Sequence, residues 1–423
     1  MTRSNANIAA RHAIVGGGVA GLASAIALQH AGRQVTLIEP EIRPSGASWG
    51  NAGHIAVEQV DPLASPAMLS TAWQRLFFRG GALSLPGNAI RQWLPFGLRL
   101  MRAASPARFE QGRAVLSEML GEAIPAWQRL LENAGAPDLM RVGGHLIVWE
   151  SRASADAGRA AWSKADTGVA RVRDADAADR ERLRALVGEA AVDAVRIDGS
   201  GQIADPSRLL ERLQATFLSA GGTVHRGRAE AVLPRAGGVE LRVDGQQMLF
   251  ETVTVTAGVA SGALLRPLGH TVPIIAERGY HIQQPVSDRD WPADTPPIVF
   301  EDRATIVTRF ESGLRAASFV EFSRPDAPPD PRKWQRLRDH AEALGLPIDA
   351  GAREWIGSRP TLPDYLPAIG ASERVPGLYY AFGHQHLGLT LAATTGERVA
   401  AMILEGKRDP RLSLTRFEKG QAR

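Results

Sequence analysis

Three glycines and one acidic residue near the amino terminus have the types and the spacing that bind a dinucleotide. Gly16, Gly18 and Gly21 follow a short apolar run, and Glu39 ends the next apolar run. The first glycine permits a tight turn, the second lets backbone N–H groups approach a pyrophosphate, and the third lets a helix pack closely on a strand. The carboxylate can accept hydrogen bonds from ribose hydroxyls, and a free acid at this place favours FAD or NAD over NADP.

The elements that must position these residues can be predicted from the surrounding pattern. Residues 12–15 predict a strand, and the glycines open a helical pattern that runs to His30 and stops at Gly32. Residues 35–38 predict a second strand ahead of Glu39. Because a helix N-terminus carries partial positive charge, this unit would direct that charge at the phosphates. The glycine motif therefore has its full strand–helix–strand context, and Val19 and Ala20 of the helix start are included in the predicted cofactor site.

Composition limits the class of protein. Of the 423 residues, 44% are hydrophobic and 22% are charged, which excludes a disordered, collagenous or coiled-coil chain and allows two or three domains. The formal net charge of +4 is too small to indicate a nucleic-acid partner. The chain has no cysteine, which excludes disulfides, iron–sulfur clusters, thiolate metal sites, cysteine nucleophiles and cofactor attachment through sulfur.

The first apolar run, residues 13–28, has the length of a signal-peptide core. Four glycines interrupt it, and it continues directly into the second predicted strand. We therefore expect it to be part of the fold rather than a cleaved leader. No other stretch reaches about 18 uninterrupted apolar residues, so we expect no membrane-spanning helix.

Further along, the pattern predicts one more helix–strand unit and then strands without intervening helices. The helix covers residues 207–220, and the strands cover residues 223–232, 239–243, 248–256, 279–283, 304–309 and 314–322. Turn residues between neighbouring runs, at 244–245 and 311–313, predict hairpins. The sequence thus indicates an α/β fold in which an antiparallel sheet interrupts the dinucleotide-binding part.

One segment is rich in arginines and aromatic residues and contains no acid between Asp61 and Glu110. Its side chains include Arg75, Arg79, Arg91, Arg99, Arg102, Arg108, Trp73, Phe77, Phe78, Trp93 and Phe96. Two interpretations are open. Such residues can cover apolar core while their guanidinium groups stay in water, or they can seat a helix at an anionic lipid surface.

Taken together, these motifs resemble the FAD-dependent D-amino acid oxidase superfamily, and within it the D-amino acid dehydrogenases. The resemblance extends over nearly the whole chain. It is carried by the residues at 14–21 with Glu39, 48–55, 256–258 with 277–280, 357–360 with 364–370, and 383–390. It implies a Rossmann-like FAD-binding domain with an interleaved α+β substrate domain built on an antiparallel sheet. The expected FAD-binding domain covers 9–85, 195–265 and 355–415, and the expected substrate domain covers 86–194 and 266–354.

The resemblance also implies roles for individual residues. Arg359 matches the family's carboxylate-binding arginine, a residue type that binds a carboxylate in a bidentate way. Tyr280 matches a tyrosine that adds a hydroxyl to the carboxylate or covers the site. His54 and His384 are the further catalytic candidates, and His54 stands where the dehydrogenases often carry glutamine. Cofactor contacts are implied for Ser48, Asn51, Ala52, Gly53, Val232, Gly258, Gly383, His386, Gly388, Leu389 and Thr390. A helix after residues 383–390 would direct its dipole at the reduced flavin.

We expect FAD to be bound noncovalently, because Gly50 stands where some N-methyl-amine relatives have a flavin-linked histidine. We expect no metal, since His384 and His386 at a two-residue spacing, even with His54, make a poor ligand set without nearby carboxylates.

The expected reaction is oxidation of a D-amino acid, or of a cyclic imino acid such as D-proline or 4-hydroxy-D-proline. A respiratory acceptor such as a quinone would take the electrons, in a cytoplasmic protein with peripheral contact to the inner membrane. The alternatives are an oxygen-using oxidase of glycine, sarcosine or another N-alkyl amino acid, and a flavin-binding protein without catalysis.

Overall fold

The computed structural model of the chain describes residues 11–40 and 46–418. The chain divides into two compact units, one made of Met1–Trp49, Leu210–Ile274 and Arg359–Arg423, and the other of Gly50–Leu209 and Ile275–Ser358. Residues 50–85, 195–209 and 355–358, which the sequence grouped with the cofactor domain, therefore lie in the second unit, and residues 266–274, expected in the substrate domain, lie in the first. The reason for the first two ranges is strand pairing, because His54–Ile55 pairs with Gly201–Ile203 and Leu83–Ser84 pairs with Gly313–Ser323 there.

The described residues form strands and helices with the following bounds. The strands are β1 (Arg11–Val15), β2 (Gln34–Glu39), β3 (His54–Ile55), β4 (Leu83–Ser84), β5 (Met140–Arg141), β6 (His145–Trp149), β7 (Arg171–Asp174), β8 (Asp193–Asp198), β9 (Gly201–Ile203), β10 (Thr223–Arg226), β11 (Ala229–Arg235), β12 (Gly238–Val243), β13 (Gln246–Phe250), β14 (Thr252–Val255), β15 (Ile275–Gln284), β16 (Ile298–Phe300), β17 (Thr305–Phe310), β18 (Gly313–Ser323), β19 (Arg353–Thr361), β20 (Ala368–Ala371) and β21 (Leu378–Phe382). The helices are α1 (Val19–His30), α2 (Pro66–Thr71), α3 (Ile90–Ala103), α4 (Pro106–Gly121), α5 (Ala123–Asn133), α6 (Arg152–Trp162), α7 (Ala177–Val187), α8 (Pro206–Ser219), α9 (Ser261–Leu265), α10 (Pro331–Ala343) and α11 (Ala392–Glu405).

The first unit is built on a six-stranded sheet in the order β10-β2-β1-β14-β21-β20. All neighbours are parallel except β20 and β21. Strands buried on both faces need apolar runs, and β1 is buried from His12 to Val15. Helix α11 packs against α1, where a Cβ on Gly396 would lie 2.7 Å from the backbone of Ala23, so glycine allows the close approach. An antiparallel sheet of β11, β12 and β13 completes the unit.

The second unit is built on a larger sheet in the order β19-β15-β18-β17-β16-β6-β8-β7, with β4 beside β18. From β15 to β7 neighbouring strands are antiparallel except β16 and β6, and β4 pairs with β18 in parallel. One face carries an apolar core that includes Ile282, Phe300 and Leu337, the last of these from α10. A small sheet of β3, β9 and β5 lies in the same unit and carries His54.

Most of the predicted elements are confirmed, with shifted ends. Residues 13–28 form β1 and α1, and α8 and the hairpin of β17 and β18 lie where they were expected. Two ranges were each predicted as one continuous strand, and both predictions are wrong. Residues 223–232 divide at Gly227 into β10 and β11, and residues 248–256 divide at Glu251 into β13 and β14. In both cases the two halves pair with different sheets, which alternation along the chain does not reveal.

Within the described ranges, no helix is both long and apolar enough to cross a bilayer.

Candidate active site

Strand order in the first unit gathers the predicted cofactor residues at one edge of the sheet. Strands β1, β2, β14 and β21 are parallel, so their carboxyl ends meet at the same edge. Gly16 follows β1, Glu39 ends β2, Gly258 follows β14, and Gly383 follows β21. Ligands of open parallel sheets bind at this edge. Val232 lies elsewhere in the unit, buried in β11.

The glycines of the first turn are required by their surroundings. Gly16 has a φ of +111°, and a Cβ there would lie 2.7 Å from the carbonyl oxygen of Thr256. A Cβ on Gly21 would lie 1.9 Å from the carbonyl oxygen of Gly16. The hydroxyl of Thr256 donates to the Gly16 carbonyl at 2.9 Å and fixes the turn from the neighbouring strand. The sequence prediction of a tight glycine turn against a closely packed helix is therefore confirmed.

The start of α1 is arranged to hold an anion. Gly18 is the N-cap and offers no side-chain cap, so the first turn depends on other groups for its N–H donors. The N–H of Val19 donates to Ser48 Oγ at 3.1 Å, and the N–H of Gly17 donates to Glu39 Oε2 at 2.5 Å. A helix start whose N-cap residue has no side chain, next to a carboxylate, suits a pyrophosphate and a ribose diol. The residues present thus fit the dinucleotide that the motif predicts.

A second polypeptide turn follows β21. Gly383 has a φ of +83°, and His384 is buried with its Nε2 2.9 Å from Thr395 Oγ1 of α11. Gln385 has a φ of +47° and donates through Nε2 to the carbonyl of Tyr365, whose own φ is +57°. Gln385 and Tyr365 thus both have left-handed backbone conformations and are joined by a hydrogen bond. Such conformations cost energy at residues other than glycine, and they are concentrated at functional sites.

The remaining predicted residues of this turn lie just ahead of α11. His386 is half-buried with its ring centroid 6.5 Å from that of Tyr365, and Leu389 and Thr390 are buried. Gly388 is half-buried, and α11 begins at Ala392. The predicted helix after residues 383–390 is confirmed, while the contacts of these residues with flavin stay a prediction.

In the second unit, the loop at residues 50–54 is held by buried side chains. Arg315 donates to the carbonyl of Asn51, and its guanidinium also bonds Gln283 Oε1 at 2.6 and 2.8 Å. His281 Nδ1 lies 3.2 Å from the carbonyl oxygen of Gly50. The side chain of Asn51 accepts from the N–H of Gly53 at 2.7 Å, which closes the turn around half-buried Ala52. Burial lowers the pKa of Arg315 to about 10.

His54 ends this loop inside a buried titratable cluster. Its Nε2 lies 3.9 Å from Glu58 Oε1, and His145 Nε2 lies 4.0 Å from the same oxygen. The other nitrogen of His145 lies 2.8 Å from Ser200 Oγ. Burial lowers the pKa of His54 to about 4 and raises the pKa of Glu58 to about 7. Burial lowers the pKa of His145 as well, so both imidazoles are neutral near neutral pH, and Glu58 is the group of the cluster that exchanges a proton there.

This cluster has the composition of a metal site but not its tight spacing. The three candidate ligand atoms lie within 4.8 Å of one another. Zinc bonds of about 2.0–2.2 Å in a tetrahedron place ligand atoms about 3.3–3.6 Å apart, which is shorter than the 3.9 and 4.0 Å separations. A bridging hydrogen-bonded atom fits these separations better. The absence of a metal stays a prediction. It now also concerns this cluster, which the sequence analysis did not predict.

Tyr280 lies in the core of the second unit, with 1% of its surface exposed. Its hydroxyl donates to Glu321 Oε2 at 3.0 Å and accepts from Arg278 Nη2 at 3.0 Å and from the N–H of Asp330 at 3.2 Å. Burial raises its pKa. The structure thus gives the hydroxyl a place in a buried network, and the predicted contact with substrate stays a prediction.

Arg359 lies in β19 and is half-buried. It follows Gly357 by two residues, and residues two apart in a strand point to the same face of the sheet. Its predicted role at a substrate carboxylate stays a prediction.

Sequence reasoning missed several residues of these surroundings: Glu58, His145, His281, Arg315, Tyr365 and Gln385. Most of them can be recognised only from their contacts in the folded structure, because Arg315 and His145 are far along the chain from the loop that they contact. The sequence did contain one signal for the cluster around His54, since Glu58 follows His54 by four residues.

A parallel sheet with a glycine turn, an uncapped helix start and an acid at the end of the second strand defines a dinucleotide-binding protein. Residues 11–402 match the family described as FAD dependent oxidoreductase (DAO). The chain is 31% identical over 428 residues to a D-amino-acid oxidase of Bradyrhizobium diazoefficiens, covering 96% of this chain and 98% of the relative. It is 28% identical to D-amino acid dehydrogenase 2 of Ralstonia nicotianae, covering 92% and 95%. Its structure resembles glycine oxidase from Geobacillus kaustophilus with a TM-score of 0.70 at 21% identity, over 97% of this chain and 100% of that chain.

The chain therefore belongs to the DAO family of FAD-dependent oxidoreductases, and its cofactor is FAD. The sequence predictions of the superfamily, of the mixed α/β fold and of an oxidoreductase are confirmed. Glu39 and the first turn of α1 would hold the ribose and the pyrophosphate, as the fit of these groups indicates.

Proposed function

We propose that the protein oxidises a D-amino acid or a cyclic imino acid. The proposal is carried by the similarity along nearly the whole chain to relatives whose names state D-amino acids as substrates. Bound FAD, held by Glu39 and the first turn of α1, would supply its N5 as the acceptor of a hydride. The Cα–H bond breaks as the hydride leaves, and the nitrogen lone pair forms the C=N bond. Water then converts the imine to a 2-oxo acid and ammonia, or the product of a cyclic substrate remains a pyrroline carboxylate.

In this proposal, Arg359 binds the substrate carboxylate. A guanidinium presents two parallel N–H donors to a carboxylate and so fixes the orientation of the amino acid, which ammonium groups of lysine do less well. Positioning the C–H bond is the main contribution that a protein makes to a hydride transfer. A half-buried arginine strengthens such a contact, because the pair is partly removed from water.

The substrate amine must be neutral to donate its lone pair. His54 is a neutral imidazole with a lowered pKa and is therefore a weak base. We propose that it contacts the substrate nitrogen or the flavin as a hydrogen-bond partner, and that Glu58 is the stronger acceptor for a proton. His384, buried against Thr395, is proposed to hold the turn at residues 383–390 in place.

We propose a respiratory acceptor such as a quinone for the electrons, and a cytoplasmic protein with peripheral contact to the inner membrane. Support comes from the relative named as a dehydrogenase. The second candidate is an oxidase that uses oxygen, which the name of the Bradyrhizobium relative favours. Its substrate could equally be glycine, sarcosine or another N-alkyl amino acid.

Anaerobic bleaching of the purified yellow protein tests the proposal. D-amino acids and D-proline should reduce the flavin, while their L-enantiomers should not. Reoxidation by air compared with a quinone analogue then identifies the acceptor. A protein that retains FAD and is bleached by no amino acid or N-methyl amino acid would be a flavin-binding protein without this catalysis.

The variant Arg359→Leu should retain FAD and lose at least about 100-fold in kcat/KM, since a charge-assisted bidentate contact contributes several kcal/mol. Arg353→Leu, at the exposed start of the same strand, is the matched control and should keep its activity. Unchanged kinetics in Arg359→Leu would refute the assigned role.

A further inference from the structure

Exposed apolar side chains are concentrated in one segment of the second unit. Within the described part of the chain, seven of the twelve large hydrophobic residues with high exposure lie between residues 63 and 101. Phe78 is 72% exposed and Trp73 is 58% exposed. Single exposed hydrophobic residues are ordinary, but a concentration of them marks an interaction surface. This segment is the acid-free one identified in the sequence.

Helix α3 presents two apolar faces. Phe96, Leu100 and Ala103 are buried, and the helix packs against β15 and β18. The exposed apolar residues lie on another side of the helix, and at 3.6 residues per turn they fall within an arc of about 80°. They are Ile90, Leu94, Leu98 and Met101. A helix that needed only to cover its own core would carry polar residues on this second face.

The charged residues that α3 itself carries are all positive. Arg91, Arg99 and Arg102 are exposed and follow the apolar arc directly on the helical wheel. No acidic residue occurs between Asp61 and Glu110 to neutralise them. An apolar stripe bordered by arginines is the pattern of a helix that lies in the interface of an anionic bilayer.

The aromatic residues of the same segment also suit a lipid headgroup region. The rings of Trp73 and Phe78 meet edge to face with centroids 5.8 Å apart. The guanidinium of Arg79 lies over the ring of Trp73, 4.5 Å from its centroid. Tryptophan and arginine are residues that place an apolar part and a polar part at the same depth, as a lipid headgroup region requires.

We propose that the exposed face of α3, defined by Ile90, Leu94, Leu98 and Met101, docks onto an anionic phospholipid surface. A second copy of this chain is a poorer occupant, because a symmetric dimer would place the same acid-free, arginine-bordered face against itself. A bilayer supplies both the apolar depth and the negative charge. This inference deepens the peripheral membrane contact proposed above, and it rests on the surface alone rather than on the redox chemistry.

Sedimentation of the FAD-loaded protein with vesicles tests the docking. The protein should sediment with vesicles of phosphatidylcholine and phosphatidylglycerol, and far less with phosphatidylcholine alone. High salt should weaken the binding, because it screens the arginines. Each arginine near an anionic surface contributes about 1 kcal/mol, so the triple variant Arg91→Gln, Arg99→Gln, Arg102→Gln should bind about 100-fold more weakly.

The double variant Leu94→Glu, Leu98→Glu should also lose vesicle binding, by at least about tenfold, since it removes two inserted side chains and adds negative charge. Matched controls are Val169→Glu and Arg289→Gln, which change exposed residues outside the segment and should bind as the native protein does. Flavin absorbance and circular dichroism of every variant show whether it is folded.

Equal binding to neutral and anionic vesicles, or native binding by both sets of variants, would overturn the proposal. Dimerisation that the Leu94→Glu, Leu98→Glu variant abolishes, without vesicle binding by the native protein, would assign the face to a second copy and also overturn it. Failure of the proposed chemistry is separate, because bleaching of the flavin by substrate is measured without vesicles.

Discussion

Burial decides what individual titratable residues can do in this protein. His384 is buried and the side chain of His54 is only 9% exposed, and the pKa of each is lowered to about 4. Their types suggest acid–base catalysis, but their surroundings keep them neutral. Burial changes the pKa of Glu58 in the opposite direction and raises it to about 7. The proton that moves near neutral pH in this cluster therefore belongs to the carboxyl group.

Glu58 should make stability depend on pH. The unfolded chain ionises this carboxyl near its ordinary pKa of 4.5, while the folded protein keeps it protonated up to about pH 7. Between these values the folded state binds the extra proton, so its stability falls as the pH rises, by up to about 3 kcal/mol. The variant Glu58→Gln should lack this fall. Urea unfolding at about pH 5 and about pH 8 measures it, with the exposed Glu110→Gln as the control.

A parallel fall in stability for native protein and Glu58→Gln would contradict this assignment. A rise in melting temperature on adding Zn²⁺, present in the native protein and absent from Glu58→Gln, would contradict the expectation that the cluster holds no metal.

At the scale of elements, one buried charged network joins helix α10 to the large sheet. Glu321 of β18 forms ion pairs with Arg278 of β15 at 3.0 Å and with Lys333 of α10 at 2.5 Å. All three side chains are buried. Tyr280 donates to the same carboxylate. Glu321 thus compensates buried Arg278 and shares the compensation of Lys333 with Asp330, which lies 3.1 Å from the same ammonium group.

Glu321→Gln should be strongly destabilising. The substitution removes the ion pair of buried Arg278 with Glu321 and leaves Lys333 with Asp330 alone, and breaking a buried pair costs about 3–5 kcal/mol. The loss should appear as a lower urea midpoint in an unfolding curve followed by circular dichroism. Arg332→Gln removes a largely exposed partner of Asp330 and should change stability by about 1 kcal/mol or less. Equal effects of the two substitutions would show that the network contributes no more than a surface pair.

Local patterns predicted the elements that are complete within a short stretch of chain. The turn at Gly16 and the hairpin of β17 and β18 are examples, because their determinants are neighbours in sequence. The division at Glu251 was not predictable, since both halves alternate in the same way and only their partners differ. The cluster of Glu58 and His145 was missed for a related reason. Distant segments meet there, and a buried carboxyl looks like an exposed one in the sequence.

At the scale of the whole molecule, composition and packing together limit how FAD is held. The chain has no cysteine that could link to a flavin. The resemblance described in the sequence analysis puts Gly50 where some relatives would have a linking histidine, and a Cβ there would lie 2.1 Å from the indole ring of Trp355. The indole stacks on His281 with the ring centroids 4.7 Å apart, so it is held in this position. A side chain at residue 50 would have to displace it.

The FAD of this protein should therefore be released when the fold is lost. Acid precipitation of the yellow holoenzyme should leave a colourless pellet and put the flavin in the supernatant. Ultrafiltration of the native protein is the control, because noncovalent FAD held by the glycine turn and Glu39 should stay with it. A covalent bond would survive unfolding, since it does not depend on the packing that aligns these groups. A yellow pellet would therefore require an attachment through some residue other than cysteine or the residue at position 50.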